Sequence, residues 1–274
     1  MLTNSFRFLP GISALGERQL WQAGVHGWDQ LQQPVPCLSA GRLKTAREQM
    51  AQARLRLAER DPVWFSERLP AKEHWRLFPE FRDRIAYLDI ETTGLARHDQ
   101  ITTIALYDGR RIRTYVQGDN LAAFQTDIRE YDLLVTYNGK CFDVPFIEKT
   151  FAMHLPQAHI DLRFLLRDLG FRGGLKGCER QLGLDRGQLQ DLDGFFAVRL
   201  WQDYQRSGRR ASLETLLAYN IEDVVNLETL LVLAYNKKLQ GTPFADSRRL
   251  VLPRRPDIPF AADAATIRRL HSRY

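Results

Sequence analysis

Three short stretches of this sequence place acidic side chains where they could do chemistry. The first is Leu88-Asp89-Ile90-Glu91-Thr92-Thr93-Gly94. On a strand, residues two apart share a face, so Asp89 and Glu91 project together while Leu88 and Ile90 face the opposite layer. Two carboxylates side by side on an otherwise apolar strand repel each other unless a cation sits between them. Hard oxygen ligands of this kind suit Mg²⁺ or Mn²⁺. The second stretch is Tyr137-Asn138-Gly139-Lys140-Cys141-Phe142-Asp143-Val144-Pro145, in which Asp143 stands where a helix begins. The third, Tyr219-Asn220-Ile221-Glu222-Asp223, sets Tyr219 and Asp223 four apart, on one face of a helix. Each has a plain alternative. Asp-x-Glu pairs decorate edge strands, Asp143 suits a helix N-cap before Pro145, and Asp223 suits a surface beside a half-buried tyrosine.

The elements that must position these residues are readable from periodicity. Strands are expected over 84–91, 100–107 and 111–117, with a hairpin turn at Asp108-Gly109. A helix at 119–130, a strand at 133–137, a helix at 144–153 and a short strand at 159–161 follow. Helices are then expected over 162–169, 175–182, 195–206 and 212–236, the last with Leu213, Leu216, Leu217, Val224, Leu227 and Leu231 on its core side. Three meandering strands followed by alternating helices and strands predict an α/β fold with a mixed sheet. Before it, two short helices over 1–36 end at Pro34 and Pro36. A long helix over 39–60 carries the stripe Leu43, Ala46, Met50, Ala53 and Leu57, with Ser39 as N-cap and Pro62 as its stop. Residues 61–80 read as an ordered connector, because Trp64, Phe65, Trp75, Leu77 and Phe78 need burial. The expected organisation is a basic helical region at 1–80, an α/β domain at 81–236 and a basic, extended, partly disordered tail at 237–274.

The chain of 274 residues carries a net charge of +6, distributed unevenly. Residues 1–80 hold 11 Lys+Arg against 8 Asp+Glu, residues 81–235 hold 19 against 22, and residues 236–274 hold 9 against 3. Basic flanks around an acidic centre suit a nucleic-acid partner, with Arg248, Arg249, Arg254 and Arg255 as phosphate contacts; simple surface solvation is the equal alternative. Three widely spaced cysteines (Cys37, Cys141, Cys178) read as thiols of a reducing compartment, so a cytoplasmic protein is expected. The first residues hold only Arg7 and no sustained apolar core, unlike a signal peptide, and no apolar run nears the roughly 18 residues of a membrane span. The histidines His26, His74, His98, His154, His159 and His271 have no metal-ligand spacing, and neither a Walker loop nor a nucleophile elbow is present.

Taken together, the three stretches resemble the exonuclease motifs of the DEDD (DnaQ-like) superfamily of ribonuclease H-like fold. Asp89 and Glu91 match the first motif, Asp143 the second and Asp223 the third. Tyr219, in a Tyr-x-x-x-Asp frame, matches the DEDDy branch; the histidine branch would need His where Ala218 stands. Asn138-Gly139 with Phe142-Asp143, and His159-Ile160-Asp161-Leu162, are also similar to the bacterial YprB-type group. The resemblance covers about 84–236. It implies a ribonuclease H-like mixed sheet flanked by helices, and a 3′–5′ exonuclease acting on the single-stranded 3′ end of a nucleic acid, DNA ahead of RNA. It further implies two Mg²⁺ or Mn²⁺ ions, roughly 3.5–4 Å apart in such centres. Asp89 would bridge them, Glu91 and Asp223 would complete one site, and Asp143 would hold the other. Tyr219 would orient the attacking water, and Asp161 would act through hydrogen bonds. Lys140 could meet a phosphate or simply be a solvated loop residue. A decayed nucleic-acid-binding module and an RNA-trimming enzyme are the alternatives. Leu9-Pro10-Gly11-Ile12, with Gly24, looks like a degenerate helix-hairpin-helix whose second hairpin glycine is replaced by Ser13, which leaves a small helical packing unit as the simpler reading.

Overall fold

A computed structural model of the chain describes residues 1–31, 35, 38–96 and 98–272. Pro34, Pro36 and Cys37, which figure in the expectations above, lie outside the described residues. At the centre is a five-stranded sheet of order β3-β2-β1-β4-β5, built from β1 (Ile85–Thr92), β2 (Ile101–Tyr107), β3 (Ile112–Val116), β4 (Leu133–Thr136) and β5 (Ala158–Asp161). β1 to β3 form an antiparallel meander, while β4 and β5 run parallel to β1, so the sheet is mixed as expected. The meander closes at Asp108-Gly109: Gly109 takes φ 85°, and the Asp108 carboxylate accepts from the backbone N–H groups of Arg110 and Arg111.

The remaining helices are α1 (Ala14–Gln22), α2 (Ala40–Ala58), α3 (Pro62–Arg68), α4 (Phe78–Phe81), α5 (Phe124–Asp127), α6 (Asp143–Phe151), α7 (Leu162–Asp168), α8 (Gly174–Gln181), α9 (Gly194–Ser207), α10 (Arg210–Leu239) and α11 (Ala264–His271). Strand alternation divides the core. Ala86, Leu88 and Ile90 face α5 and α6, where Phe124, Ile128 and Ile147 are buried with them. Tyr87 and its neighbours Tyr107 and Val135 face the other way, toward α10. That second face is the one onto which Asp89 and Glu91 project.

α10 is buried nearly all round, because the sheet, α9, the N-terminal region and the C-terminal segment together enclose it. The N-terminal region joins the same apolar core: Trp75 and Phe78 lie edge-on to Tyr235 of α10, at 5.4 and 6.3 Å. Ser39 caps α2 as expected, and Leu43, Ala46, Met50 and Ala53 are its buried stripe. Pro62 does more than end that helix; it occupies the first turn of α3, where its missing N–H leaves nothing unpaired. The 9–13 segment is a packed turn that leads into α1: Leu9 and Ile12 are buried, and Ser13 caps α1 by accepting from Gly16 N–H.

The C-terminal segment carries no helix or strand over 249–263 and is anchored to the rest of the chain on either side of that stretch. Phe244 is buried against Trp21, Asn236 exchanges two hydrogen bonds with Leu250, and α11 follows with Leu270 buried. Arg269 donates to both oxygens of Asp203 at 2.7 Å. Charge and proline content concealed an apolar thread (Phe244, Leu250, Phe260, Leu270) too sparse to show periodicity. Arg255, expected at a phosphate, instead pairs with the buried Glu222.

Candidate active site

β1 ends beside α10, and there the three sequence stretches meet. Ligand atoms of the half-buried Asp89 and the buried Glu91 and Asp223 all lie within 4.8 Å of one another. Asp143 stands outside that group but joins it through β1: its Oδ1 accepts from Ile90 N–H at 3.2 Å, between the two acidic residues of the strand. It occupies the first turn of α6, and Phe142 holds the N-cap position, so capping does not explain Asp143. Asp89, Glu91, Asp143, Tyr219 and Asp223 all line one cavity of about 610 Å³. A slightly larger cavity, about 690 Å³, opens at the start of β4 and β5, lined by Arg60, Arg129 and Tyr131; it has no such cluster of carboxylates.

Each carboxylate has a local reason for its position. Asp89 faces Ala105 across the β1–β2 pair and Glu91 faces Thr103, so small side chains leave room for α10. Asn220 of α10 donates to Asp89 Oδ2 at 2.7 Å and accepts from Thr103 Oγ1 at 3.0 Å, which orients its amide. The turn preceding Asp143 is held by Asp161, whose carboxylate accepts from the N–H groups of Asn138, Lys140 and Arg163. The hydrogen-bonding role expected of Asp161 is thus what the structure contains. Gly139 is required there, since a Cβ would come 2.6 Å from that of Thr136. Lys140 is exposed and is not among the residues that line this cavity.

The electrostatics are those of a site built for cations. Burial, followed by the charges of Asp223, Asp143 and Glu91, holds the Asp89 carboxyl well above its usual range. Burial, Asp223 and Asp143 do the same to Glu91. Burial foremost pushes Asp143 up to about 7. Burial, Asp223 and Glu91 also raise the Tyr219 phenol far above its ordinary value, so it stays protonated and is a hydrogen-bonding group rather than a base. Three carboxyls that resist ionisation, Asp89, Glu91 and Asp143, gathered beside Asp223, fit divalent cations, whose charge removes the repulsion.

A pH dependence follows. The folded chain retains protons on these carboxyls that the unfolded chain releases near pH about 4. Without metal, stability should therefore fall as pH rises from about 4 toward the folded value of about 7. Melting curves in EDTA should shift to lower temperature across this window, and saturating Mn²⁺ should abolish the shift. A metal-free melting temperature that climbs instead would exclude the mutual repulsion.

The RNase_H_2 family model, of the RNase_H superfamily, matches residues 86–235, more than half of the chain and the whole of the region holding these residues. The chain belongs to the RNase H superfamily. Within curated proteins it is 29% identical over 174 residues to the uncharacterized protein YprB of Bacillus subtilis (strain 168), across 55% of this chain and 42% of that protein. The chain therefore spans less than half the length of the relative it matches. Among solved structures it is similar to the family B DNA polymerase of the hyperthermophilic archaeon Pyrobaculum calidifontis, with a TM-score of 0.43 and 17% identity over 57% of this chain and 24% of that one. Members of the superfamily generally hydrolyse phosphodiester bonds, and the acidic cluster lies within the matched region.

Sequence reasoning missed several residues of this superfamily site. Lys176 of α8 sets its Nζ 4.6 Å from the centre of the Tyr219 ring. Arg186 contacts Asp223 and donates twice to Glu179 at 2.6 Å. Leu95 (85% exposed) and Phe195 (63% exposed) stand on the cavity wall. Lys176 lies on an expected helix and Arg186 in the loop after it, where neither carries a motif; Leu95 lies in a bend and Phe195 in the first turn of α9, where only their size and apolar character mark them.

Proposed function

We infer that the chain is a metal-dependent 3′–5′ exonuclease of the DEDDy type, acting on a single-stranded end of nucleic acid, DNA ahead of RNA. One observation carries the reading: five residues from three distant stretches, each ambiguous alone, line a single cavity with the ligand atoms of three of them within 4.8 Å. Asp89, Glu91, Asp143 and Asp223 would hold two Mg²⁺ or Mn²⁺ ions. When bound, such ions supply Lewis-acid stabilisation of charge on the phosphoryl oxygens. Asp89, kept in place by Asn220, would be shared by the two ions, Glu91 and Asp223 would help to hold one and Asp143 the other. Tyr219, protonated and one helical turn from Asp223, orients the attacking water in line with the phosphorus. Leu95, Phe142 and Phe195 give apolar surface on which terminal bases stack and which keeps bulk water from the cleft.

The same proposal retains the division into a helical N-terminal region, a nuclease domain and a basic C-terminal segment. It also retains a cytoplasmic setting, with which the free thiols of Cys141 and Cys178 agree. Among the described residues no helix is long and apolar enough to cross a membrane.

The test is a gel assay with 5′-labelled single- and double-stranded DNA and RNA, in Mg²⁺, Mn²⁺ or EDTA. Stepwise shortening from the 3′ end, abolished by EDTA, is the expected result. Retained binding with no cleavage under any of these conditions would replace the enzyme by a decayed binding module, and RNA-only cleavage would make it a trimming exoribonuclease.

A further inference from the structure

Behind Asp223 lies a buried ladder of charged groups that the proposed mechanism does not use. The fully buried Arg186 guanidinium forks onto Glu179, with Nε and Nη2 each 2.6 Å from a carboxylate oxygen. Nη2 also contacts Asp223 Oδ1. Glu179 Oε1 accepts from Asn226 Nδ2 at 2.9 Å, and the same amide reaches Glu222 Oε1 at 3.1 Å. Arg255 of the C-terminal segment closes the far end on Glu222, its Nη1 at 2.8 Å. Two arginines thus meet three carboxylates, and the inner end of the ladder, Asp223, meets Asp89 and Glu91.

A fork fixed on Glu179 cannot swing away from Asp223, because leaving would strand a buried guanidinium and a buried carboxylate. Arg186 therefore keeps an ion-pair contact, without a well-aimed hydrogen bond, on one Asp223 oxygen, Oδ1. A carboxylate restricted to one oxygen suits Mg²⁺ and Mn²⁺, which take octahedral sets of single oxygens. It handicaps Ca²⁺, which fills its six to eight positions partly by chelating both oxygens of a carboxylate. We propose that Arg186, anchored by Glu179, is a positioning residue that limits Asp223 to one metal-facing oxygen and so sets the site's discrimination against Ca²⁺. This rests on the reading of the site as a metal centre.

Calorimetric titration of the full chain with Mn²⁺ alone and with Ca²⁺ alone tests it without recourse to activity. Wild-type protein should bind Mn²⁺ at least about tenfold more tightly than Ca²⁺. The neutral double variant Glu179→Gln/Arg186→Met removes the ion pair as a unit, and Arg186→Lys keeps the charge but loses the fork. In either, once circular dichroism shows it folded, Ca²⁺ should bind at least about fivefold more tightly and narrow the ratio. An unchanged ratio in a folded variant, or a wild-type ratio near one, would reduce Arg186 to a structural ion pair. Wild-type protein that binds neither ion would overturn the metal centre itself, a different result from an unchanged ratio.

Discussion

Replacing Asp89 by alanine should abolish turnover and, separately, abolish the response of the fold to metal. Asp89 is the carboxylate on which the others converge: it shares the cluster with Glu91 and Asp223, feels Asp143, and is held by Asn220. Removing it should slow cleavage by about a thousandfold or more, equivalent to about 4 kcal/mol of barrier. Loss of one bridging ligand accounts for a change of this size when charge neutralisation at the phosphate comes from the metal centre. The stability effect is independent of any substrate. Ions that bind only the folded chain stabilise it by mass action, about 2.7 kcal/mol at a hundred times the dissociation constant. In wild-type protein millimolar Mn²⁺ should therefore raise the melting temperature by several degrees, and in Asp89→Ala it should not. Without metal the variant should melt close to wild type, because a carboxylate disfavoured by burial and repulsion is gone while one hydrogen bond from Asn220 is lost. Equal metal responses in the two proteins would remove Asp89 from the site.

The second large effect is expected of Tyr219→Phe, and its signature is selective. The ring is 5% exposed and lies beneath Lys176, so phenylalanine preserves the packing. Only the hydroxyl disappears, and because it stays protonated the loss cannot be of a base. Melting temperature, Mn²⁺ stabilisation and affinity for a labelled strand should change little, with at most about 1 kcal/mol from a missing hydrogen bond. The single-turnover rate should nevertheless fall by about a hundredfold, since a water held in line contributes only when its orientation is fixed. Asp223→Ala should lose both rate and metal response, which separates the ligand from the residue that orients water. Cleavage by Tyr219→Phe at the wild-type rate would make Tyr219 a packing residue and end the DEDDy assignment.

Much of the architecture was legible without coordinates. Strand alternation separates Leu88 and Ile90 from Asp89 and Glu91, and the Asp108-Gly109 turn together with the order of elements fixes a meander followed by parallel strands. The spacing of Tyr219 and Asp223 gives one helical face. These are local properties: backbone periodicity and turn chemistry act within a few residues, so the sequence displays them directly. The site was legible only to the extent that three motifs in a known order could be recognised together.

What the tertiary structure decided is everything that depends on contacts across long stretches of chain. Asp143 is bonded to the backbone of β1 rather than capping its own helix, and Asp161 holds the turn that leads to it. Arg186 and Glu179 form a buried pair behind Asp223, with Arg255 reaching from the C-terminal segment to the same ladder. The C-terminal segment is anchored at Phe244 and in α11 at Leu270, because these side chains find apolar partners that no nearby residue reveals. A charge or an isolated apolar side chain carries no period; its partner is chosen by the fold. Composition could not show which arginines are buried against carboxylates and which remain exposed to meet a phosphate.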